Sequence, residues 1–252
     1  MTLCTEKDAG FFLSPTKPKQ IEIPEHIAVV MDGNRRWSLE NNLPILEGYR
    51  KGIESLIKIT EAASDIGVQT LTVYAFSTEN WTRSEEEVGF IFSLMEKALY
   101  QNKSRLRRGG ISLKTIGNLA KLPSSLQTAL QDVKEATSDN QKLQLVLAIN
   151  YGGRDEILRS VKKLLQDFEK NLLKKDQIDE ELFSSYLDTS SFKDPDLLIR
   201  TSGEQRISNF LLWQISYSEI YITDTTWPDF AKEDLWKAVL DYQARQRRLG
   251  GS

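Results

Sequence analysis

The sequence predicts an α/β fold, one domain on a central, mainly parallel sheet flanked by helices. Three observations predict it. Short, near-continuous apolar runs recur, HIAVVMD at 26–32, TLTVYAF at 70–76 and LQLVLAIN at 143–150, and such runs suit strands covered on both faces. Longer amphipathic stretches alternate with them, as parallel sheets require. The chain's 252 residues are 40% hydrophobic and no Gly/Ser- or Pro-rich linker divides them, so one core is expected.

In chain order, residues 1–22 read as a flexible N-terminal extension and residues 23–252 as the domain. The first strand runs from His26 to Asp32. A helix follows over Gly48 to Ile66, with Ile53, Leu56, Ile57 and Ala63 near helical spacing. After the strand Thr70 to Phe76, Ser84 supplies an N-cap and Glu85, Glu86 and Glu87 an acidic first turn for a helix ending near Leu106. Ile111 to Ile116 is a weaker strand and Ser124 to Ala136 a helix. The strand Leu143 to Asn150 leads into a helix from Asp155 to Phe168. Lys170 to Glu181 is charge-rich and reads as a solvated helix or loop. Leu197 to Arg200 and Glu219 to Thr223 are short strands, and Glu233 to Arg247 is the last helix.

Composition narrows the chemistry. A net charge of −3 gives no general attraction to nucleic acid or anionic lipid, so anion binding has to come from local arginines. Cys4 is the only cysteine, which rules out an intramolecular disulfide and fits a reducing compartment. His26 is the only histidine; it reads as strand-start packing, and its solitude excludes multi-histidine metal sites. The first twenty residues lack the pattern of a signal peptide. No run approaches the roughly 18 apolar residues of a membrane span. A cytoplasmic protein is expected.

Ligands of open α/β sheets bind beyond the carboxyl ends of the strands. Three strands here end in polar sequences, MDGNRRW at 31–37, FSTENWTR at 76–83 and NYGGRD at 150–155. In the first, Asp32 is a hard oxygen ligand of the kind magnesium prefers. Gly33 lets backbone amides approach an anion, and Arg36 offers a fork to phosphate. A plain Asp-Gly surface turn is the competing reading. The second loop offers Asn80 as a neutral hydrogen-bonding group, beside Trp81, which also suits core packing, and Arg83, which also suits a helix-start charge pattern. RTSGEQRISN at 200–209, with Arg200, Arg206 and Ser208, is a second anion site or a solvated loop; two sites imply two phosphorylated substrates. Glu219 is a second candidate magnesium ligand. Arg245, Arg247 and Arg248 bind anions or favour a helix C-terminus. The P-loop, the dinucleotide G-x-G-x-x-G and an aspartate-rich D-D-x-x-D are all missing.

With these residues in hand, the chain resembles the cis-prenyltransferases, and within them the bacterial undecaprenyl diphosphate synthases. The resemblance runs from about His26 to Gly251 and is carried by HIAVVMDGNRRW, LTVYAFSTENWTR, LAINYGGRDEI, DLLIRTSGEQRISNFLLWQ and SEIYITDTTWPDF in that order. It implies a sheet enclosing a hydrophobic tunnel, and a homodimer in which Arg248-Leu249-Gly250 helps complete the isopentenyl diphosphate site. Asp32 would bind Mg2+ and the allylic diphosphate. Gly33, Asn34, Arg35, Arg36 and Trp37 would surround that substrate, and Ser77, Thr78, Glu79, Trp81 and Arg83 would complete its site. Asn80 would accept the proton, although an amide is a weak base and a diphosphate oxygen is the alternative. Arg200, Arg206, Ile207 and Ser208 would hold isopentenyl diphosphate, and Glu219 would be the second metal carboxylate.

Two positions depart from the family's usual pattern. Ile45 stands where an arginine is usual and Tyr49 where a histidine is usual, both in the allylic diphosphate site; Arg35 and Arg50 are the candidates to restore the charge. The resemblance further implies a C55 product from farnesyl diphosphate, the lipid carrier of cell-wall glycans, with transient membrane-surface contact at release. Ala75 is small enough for a long tunnel, and Leu143 and Leu145 either line its far end or pack in the core. Two rival readings are a non-catalytic partner subunit and a different phosphate-ester enzyme or nucleotide-binding module on an α/β sheet.

Overall fold

A computed structural model describes residues 22–245. The N-terminal extension with Cys4, and Arg247, Arg248, Leu249 and Gly250, lie outside the described residues. Thirteen elements follow in order: β1 (His26–Val30), α1 (Asn34–Glu40), α2 (Ile45–Ile66), β2 (Thr70–Ser77), α3 (Glu85–Arg108), β3 (Ile111–Ile116), α4 (Ser124–Ala136), β4 (Leu143–Tyr151), α5 (Gly153–Glu169), α6 (Glu180–Ser185), β5 (Leu197–Arg200), β6 (Glu219–Ile222) and α7 (Lys232–Ala244). Short 3-10 turns cover Thr78–Thr82 and Trp227–Asp229.

The strands form one sheet in the order β3-β4-β2-β1-β5-β6. Every pairing is parallel, so the sheet is fully rather than mainly parallel. Successive side chains divide between its faces, as a pleated strand dictates. Ile27, Val29, Leu71, Val73, Leu145 and Ile199 join one core with α2, α3, α4 and α7. Ala28, Val30, Val146, Ala148 and Leu198 join another with Phe210 and Leu211. This two-sided burial explains the unbroken apolar runs, and each fully buried Ile, Val or Leu contributes about 1.5–3 kcal/mol.

Parallel strands bring all their carboxyl ends to one edge. The loops after β1, β2, β4 and β5 therefore share an edge, as the sequence predicts. β2 carries one extra residue there: Tyr74 pairs with Ala148, and Phe76 with Ile149, leaving Ala75 as a bulge. Asp32 lies just beyond β1 instead of closing it, and Asn34–Glu40 folds as a short helix that the sequence pattern is too brief to predict. His26, the expected packing histidine, is buried, with Nδ1 2.6 Å from the Lys193 carbonyl and Nε2 2.7 Å from Thr72 Oγ1. No helix among the described residues is long and apolar enough to cross a membrane.

Candidate active site

Asp32 and Arg200 meet across the β1/β5 boundary. Arg200 Nη2 donates to Asp32 Oδ2 at 2.8 Å, while Gly33 N donates to Oδ1 at 2.8 Å. Arg200 is almost wholly buried, whereas the Asp32 side chain keeps 35% of its surface exposed, which leaves it open to a ligand. Thr201 pins the backbone beneath by accepting from Asp32 N at 2.8 Å and donating to Asp32 O at 2.7 Å. Gly33 takes φ +101°, and a Cβ there would stand 2.7 Å from Ser202 Oγ and 3.0 Å from Thr226 Cβ. The glycine is therefore required by conformation and space alike.

Two buried polar atoms of this loop, Arg200 Nε and Ser202 Oγ, have no partner. An orphaned buried donor costs about 1–3 kcal/mol unless a water, ion or ligand meets it. The remaining arginines are held by nearby carboxylates. Arg36 donates to the Ser202 carbonyl at 2.7 Å and to Glu204 at 2.6 Å, and Glu204 also pairs with Arg206. These two arginines hold the Glu204 carboxyl below its usual range. Glu87 accepts from Tyr49 at 2.6 Å, from Arg83 at 3.2 Å and from Arg35 at 3.1 Å. Burial, then the bond to Glu87, pushes Tyr49 up to about 12, so it stays an uncharged phenol.

A polar cleft is lined by Asp32, Ser77, Glu79, Asn80, Arg83 and Ser208 among others. It adjoins an apolar cavity between the sheet and α2 and α3. Met31, Tyr74, Asn80 and Arg83 line both, so charge gives way to hydrocarbon within one continuous hollow. Tyr49, Ala75, Met95, Leu106, Leu113 and Leu145 line the apolar part. Leu143 does not; it is fully buried core.

The family described as "Putative undecaprenyl diphosphate synthase" matches residues 30–250. The chain belongs to the cis-prenyltransferase family. An isoprenyl transferase of Staphylococcus saprophyticus subsp. saprophyticus is 50% identical over 229 residues, covering 91% of this chain and 90% of that one. One of Chlamydia trachomatis serovar D is 47% identical over 237 residues, covering 92% and 94%. Among solved structures, lavandulyl diphosphate synthase from Lavandula x intermedia in complex with dimethylallyl diphosphate aligns with TM-score 0.88 at 36% identity, covering 90% of this chain and 98% of that one. A "probable undecaprenyl diphosphate synthase" from Campylobacter jejuni aligns with TM-score 0.75 at 34% identity, covering 91% and 99%.

Against that family background the expected residues separate. This cis-prenyltransferase brings Asp32, Gly33, Arg36, Arg200, Arg206 and Ser208 into one network, and Arg35, Tyr49 and Arg83 into another. Asn80 Oδ1 accepts from Ser77 N at 3.0 Å and shapes the 3-10 turn that carries Thr78. Glu79 receives Asn209 Nδ2 at 2.8 Å; burial alone would raise its carboxyl, but this and other hydrogen bonds hold it low. Trp81 is 40% exposed, donates to Asn150 Oδ1 at 2.8 Å and meets Phe76 and Phe92 edge-on, so the pure core reading fails. Trp37 donates to Asp229 at 2.8 Å, Ile207 packs on the second core, and neither lines the hollow. The Asn34 Oδ1 atom is buried without a partner at the cavity wall.

Glu219 is not brought to Asp32. It opens β6 in register with Leu197, at the amino edge of the sheet, while Asp32 stands beyond the carboxyl edge. Its carboxylate accepts from Arg245 at 2.8 Å. Within one chain and among the described residues, no three His, Cys, Asp or Glu converge as a metal cluster. The donor set at Asp32 still fits magnesium, which is commonly held by one or two carboxylates plus phosphate oxygens of the substrate. Residues to which sequence reasoning assigned no part in the site are Glu87, Glu204, Asn150 and Asn209; the last three lie inside the quoted motifs, which was the available signal.

Proposed function

We propose that this isoprenyl transferase extends an allylic diphosphate, farnesyl diphosphate, by successive cis-condensations with isopentenyl diphosphate, using Mg2+. One observation carries the reading: the polar cleft lined by Asp32 and Arg83 shares its wall with an apolar cavity, which suits a substrate with a diphosphate head and a growing hydrocarbon tail. A nucleotide-binding module would have no use for the apolar half.

Asp32 would hold the metal with the allylic diphosphate, and the metal would supply charge neutralisation on the leaving group. Arg35 and Arg83, released from Glu87, and Arg36, released from Glu204, would take up phosphate oxygens. Arg200, Arg206 and Ser208 would hold the isopentenyl diphosphate beside it, and orientation of the two substrates supplies much of the rate. The C1–O bond of the allylic substrate breaks and its electron pair leaves with diphosphate. The double bond of isopentenyl diphosphate attacks C1 through its C4, and a proton leaves C2. We place that proton on a diphosphate oxygen, because Asn80 is a weak base whose amide oxygen already receives Ser77 N–H.

Residues 23–252 form the catalytic domain and 1–22 an extension. Small Ala75 at the cavity wall favours a long product, C55 by likeness to the bacterial synthases, for the lipid carrier of cell-wall glycans. Such a protein would work in the cytoplasm, with transient contact at the inner membrane surface. A homodimer is supported by the exposed stripe Leu158, Val161, Leu165 and Phe168 on α5, at helical spacing, and by the unpaired edge strand β6 with exposed Ile220 and Ile222. Glu219 would then serve a metal only from a second copy; light scattering that returns a monomer removes this part.

The test is incubation with Mg2+, farnesyl diphosphate and labelled isopentenyl diphosphate, followed by sizing of the products. A magnesium-dependent ladder near C55, reduced a hundredfold or more in Asp32→Asn, is expected. A shorter ladder overturns the length alone. Wild-type protein that transfers no prenyl group under any allylic primer overturns the function.

A further inference from the structure

At the amino edge of the sheet an apolar groove runs between the end of α2 and the start of α7. Ala62 and Ile66 of α2 and Leu235 and Trp236 of α7 line it, with Asp65 and Glu233 at its rim. Trp236 is 36% exposed, and Leu240, one turn further along α7, is 45% exposed. The chain has five tryptophans. Trp37, Trp81, Trp213 and Trp227 each donate their indole N–H to an oxygen acceptor. Trp236 alone donates to no acceptor among the described residues. An indole offers a broad apolar face and one donor, and interfaces use both. The rim charges are loosely engaged: Asp65 pairs with Lys142 at 3.1 Å and Glu233 with Lys232 at 3.7 Å, all four side chains more than half exposed. Such pairs hold little energy, so another cation can take either carboxylate.

The course of the chain points to what covers this groove. Ile23 packs into the same core as Ala62, Ile66 and Leu235. Glu25 O accepts Gln69 N at 2.9 Å, three residues past the end of α2. The chain therefore enters the described residues beside the groove. Residues 14–21, SPTKPKQI, separate Leu13 from Glu22. At roughly 3.3 Å per residue this stretch reaches up to about 26 Å. Before it stands Phe11-Phe12-Leu13, the one three-residue apolar run in the first twenty residues. Lys17 and Lys19 follow the run and complement the Asp65 and Glu233 carboxylates at the rim. A tether this short holds the run near the groove at an effective concentration in the millimolar range, so even a weak apolar contact forms.

We propose that Phe11-Phe12-Leu13 of this chain's own N-terminal extension docks in the α2/α7 groove, against Ile66 and Trp236, with Lys17 and Lys19 along Asp65 and Glu233. The proposal is independent of the reaction assigned above, because the groove shares no residue with the hollow at Asp32.

Cys4 is the only cysteine, so Cys4→Ser clears the full chain for disulfide trapping. Ser14→Cys, which keeps all three apolar residues, is combined with Glu233→Cys at the groove or, as the control, with Glu135→Cys on the exposed face of α4. An intramolecular disulfide is expected to form about tenfold faster at Glu233→Cys than at the control. Adding Phe11→Ser, Phe12→Ser and Leu13→Ser is expected to bring the two rates together. Amide hydrogen exchange supplies the second readout: the triple serine variant, with Cys4 in place, is expected to exchange severalfold faster than the wild type over residues 62–66 and 232–240. Its prenyl transfer is expected to stay within about twofold of wild type. Equal trapping at the two positions, or exchange that the triple variant leaves unchanged, overturns the proposal. So does a disulfide that joins two chains, seen as a doubled mass under denaturing conditions, since the occupant is then a second copy. Protection of 232–240 that arises only with phosphatidylglycerol vesicles overturns it too, and assigns the face to lipid.

Discussion

Arg35 and Arg50 differ in what holds them, and that difference favours one of them as the proposed replacement for the positive charge that Ile45 and Tyr49 do not carry. Arg50 pairs with Glu47 on its own helix at 3.0 Å and leans over Phe90. Arg35 is 53% exposed and shares Glu87 with Arg83 and Tyr49 at the rim of the hollow. An exposed ion pair is worth little by itself, so a diphosphate with several oxygens outcompetes one carboxylate for the guanidinium. Tyr49, held neutral, donates a hydrogen bond but no charge. Arg35→Ala is therefore expected to raise the allylic KM about tenfold with little change in kcat, and Arg50→Ala to change neither beyond about twofold. Steady-state kinetics with farnesyl diphosphate as the varied substrate check this; equal effects of the two substitutions would remove Arg35 from the site.

At the scale of elements, the bulge at Ala75 makes β2 more than a core strand. The extra residue lets Tyr74 and Ala75 both face the hollow where a regular strand would turn one of them away. Ala75→Leu places three further carbons in the path of the chain while the cleft at Asp32 is untouched. The expected result is a product ladder shortened by several isoprene additions, with the first condensation within about threefold of wild type; the overpacking itself costs roughly 1–3 kcal/mol. Chromatography of the products checks it, and an unchanged ladder would show that the chain grows elsewhere.

Legibility in the sequence follows the same division. Ile111–Ile116, Ser124–Ala136 and Leu197–Arg200 are read to the residue because Gly110, Gly117, Pro123 and Pro195 punctuate the apolar patterns there. Ser84 caps α3 as expected, accepting from Glu87 N at 3.2 Å. The seven-residue α1 is too short to show a period, and the bulge leaves no compositional mark. Site residues were legible as types within motifs, but their pairings were not. Arg36 and Glu204 are 168 positions apart, as are Asp32 and Arg200, and only the sheet order joins them. Glu87 looked like part of an acidic first turn, which it is, while also serving three partners from α1, α2 and the turn before α3.

For the molecule as a whole, the two edges of the sheet have different duties. The candidate site gathers at the carboxyl edge, and the amino edge is locked by His26, which ties β1 to Thr72 of β2 and to the 193 loop. The Lys193 carbonyl can only accept, so Nδ1 carries the proton and Nε2 accepts from the Thr72 hydroxyl. Desolvation lowers the folded-state pKa to about 4, against 6.5 for the free side chain; the Lys193 carbonyl and Asp196 oppose this only partly. The unfolded chain then binds a proton that the folded chain refuses. Stability contributed by neutral His26 is full above about pH 6.5 and declines as pH falls towards 4, by up to about 3 kcal/mol. Acid also weakens carboxylate pairs, but these are common to the wild type and a His26→Gln variant. The difference between their urea-melt stabilities is expected to shrink steadily between pH 7 and pH 4.5, since only the wild type loses the histidine's share. A difference that holds constant over that range would mean that His26 takes up its proton equally in the folded and unfolded chain, and one that widens as pH falls would mean that it is protonated already at neutral pH and that the amino edge is held by charge instead of by a neutral donor-acceptor pair.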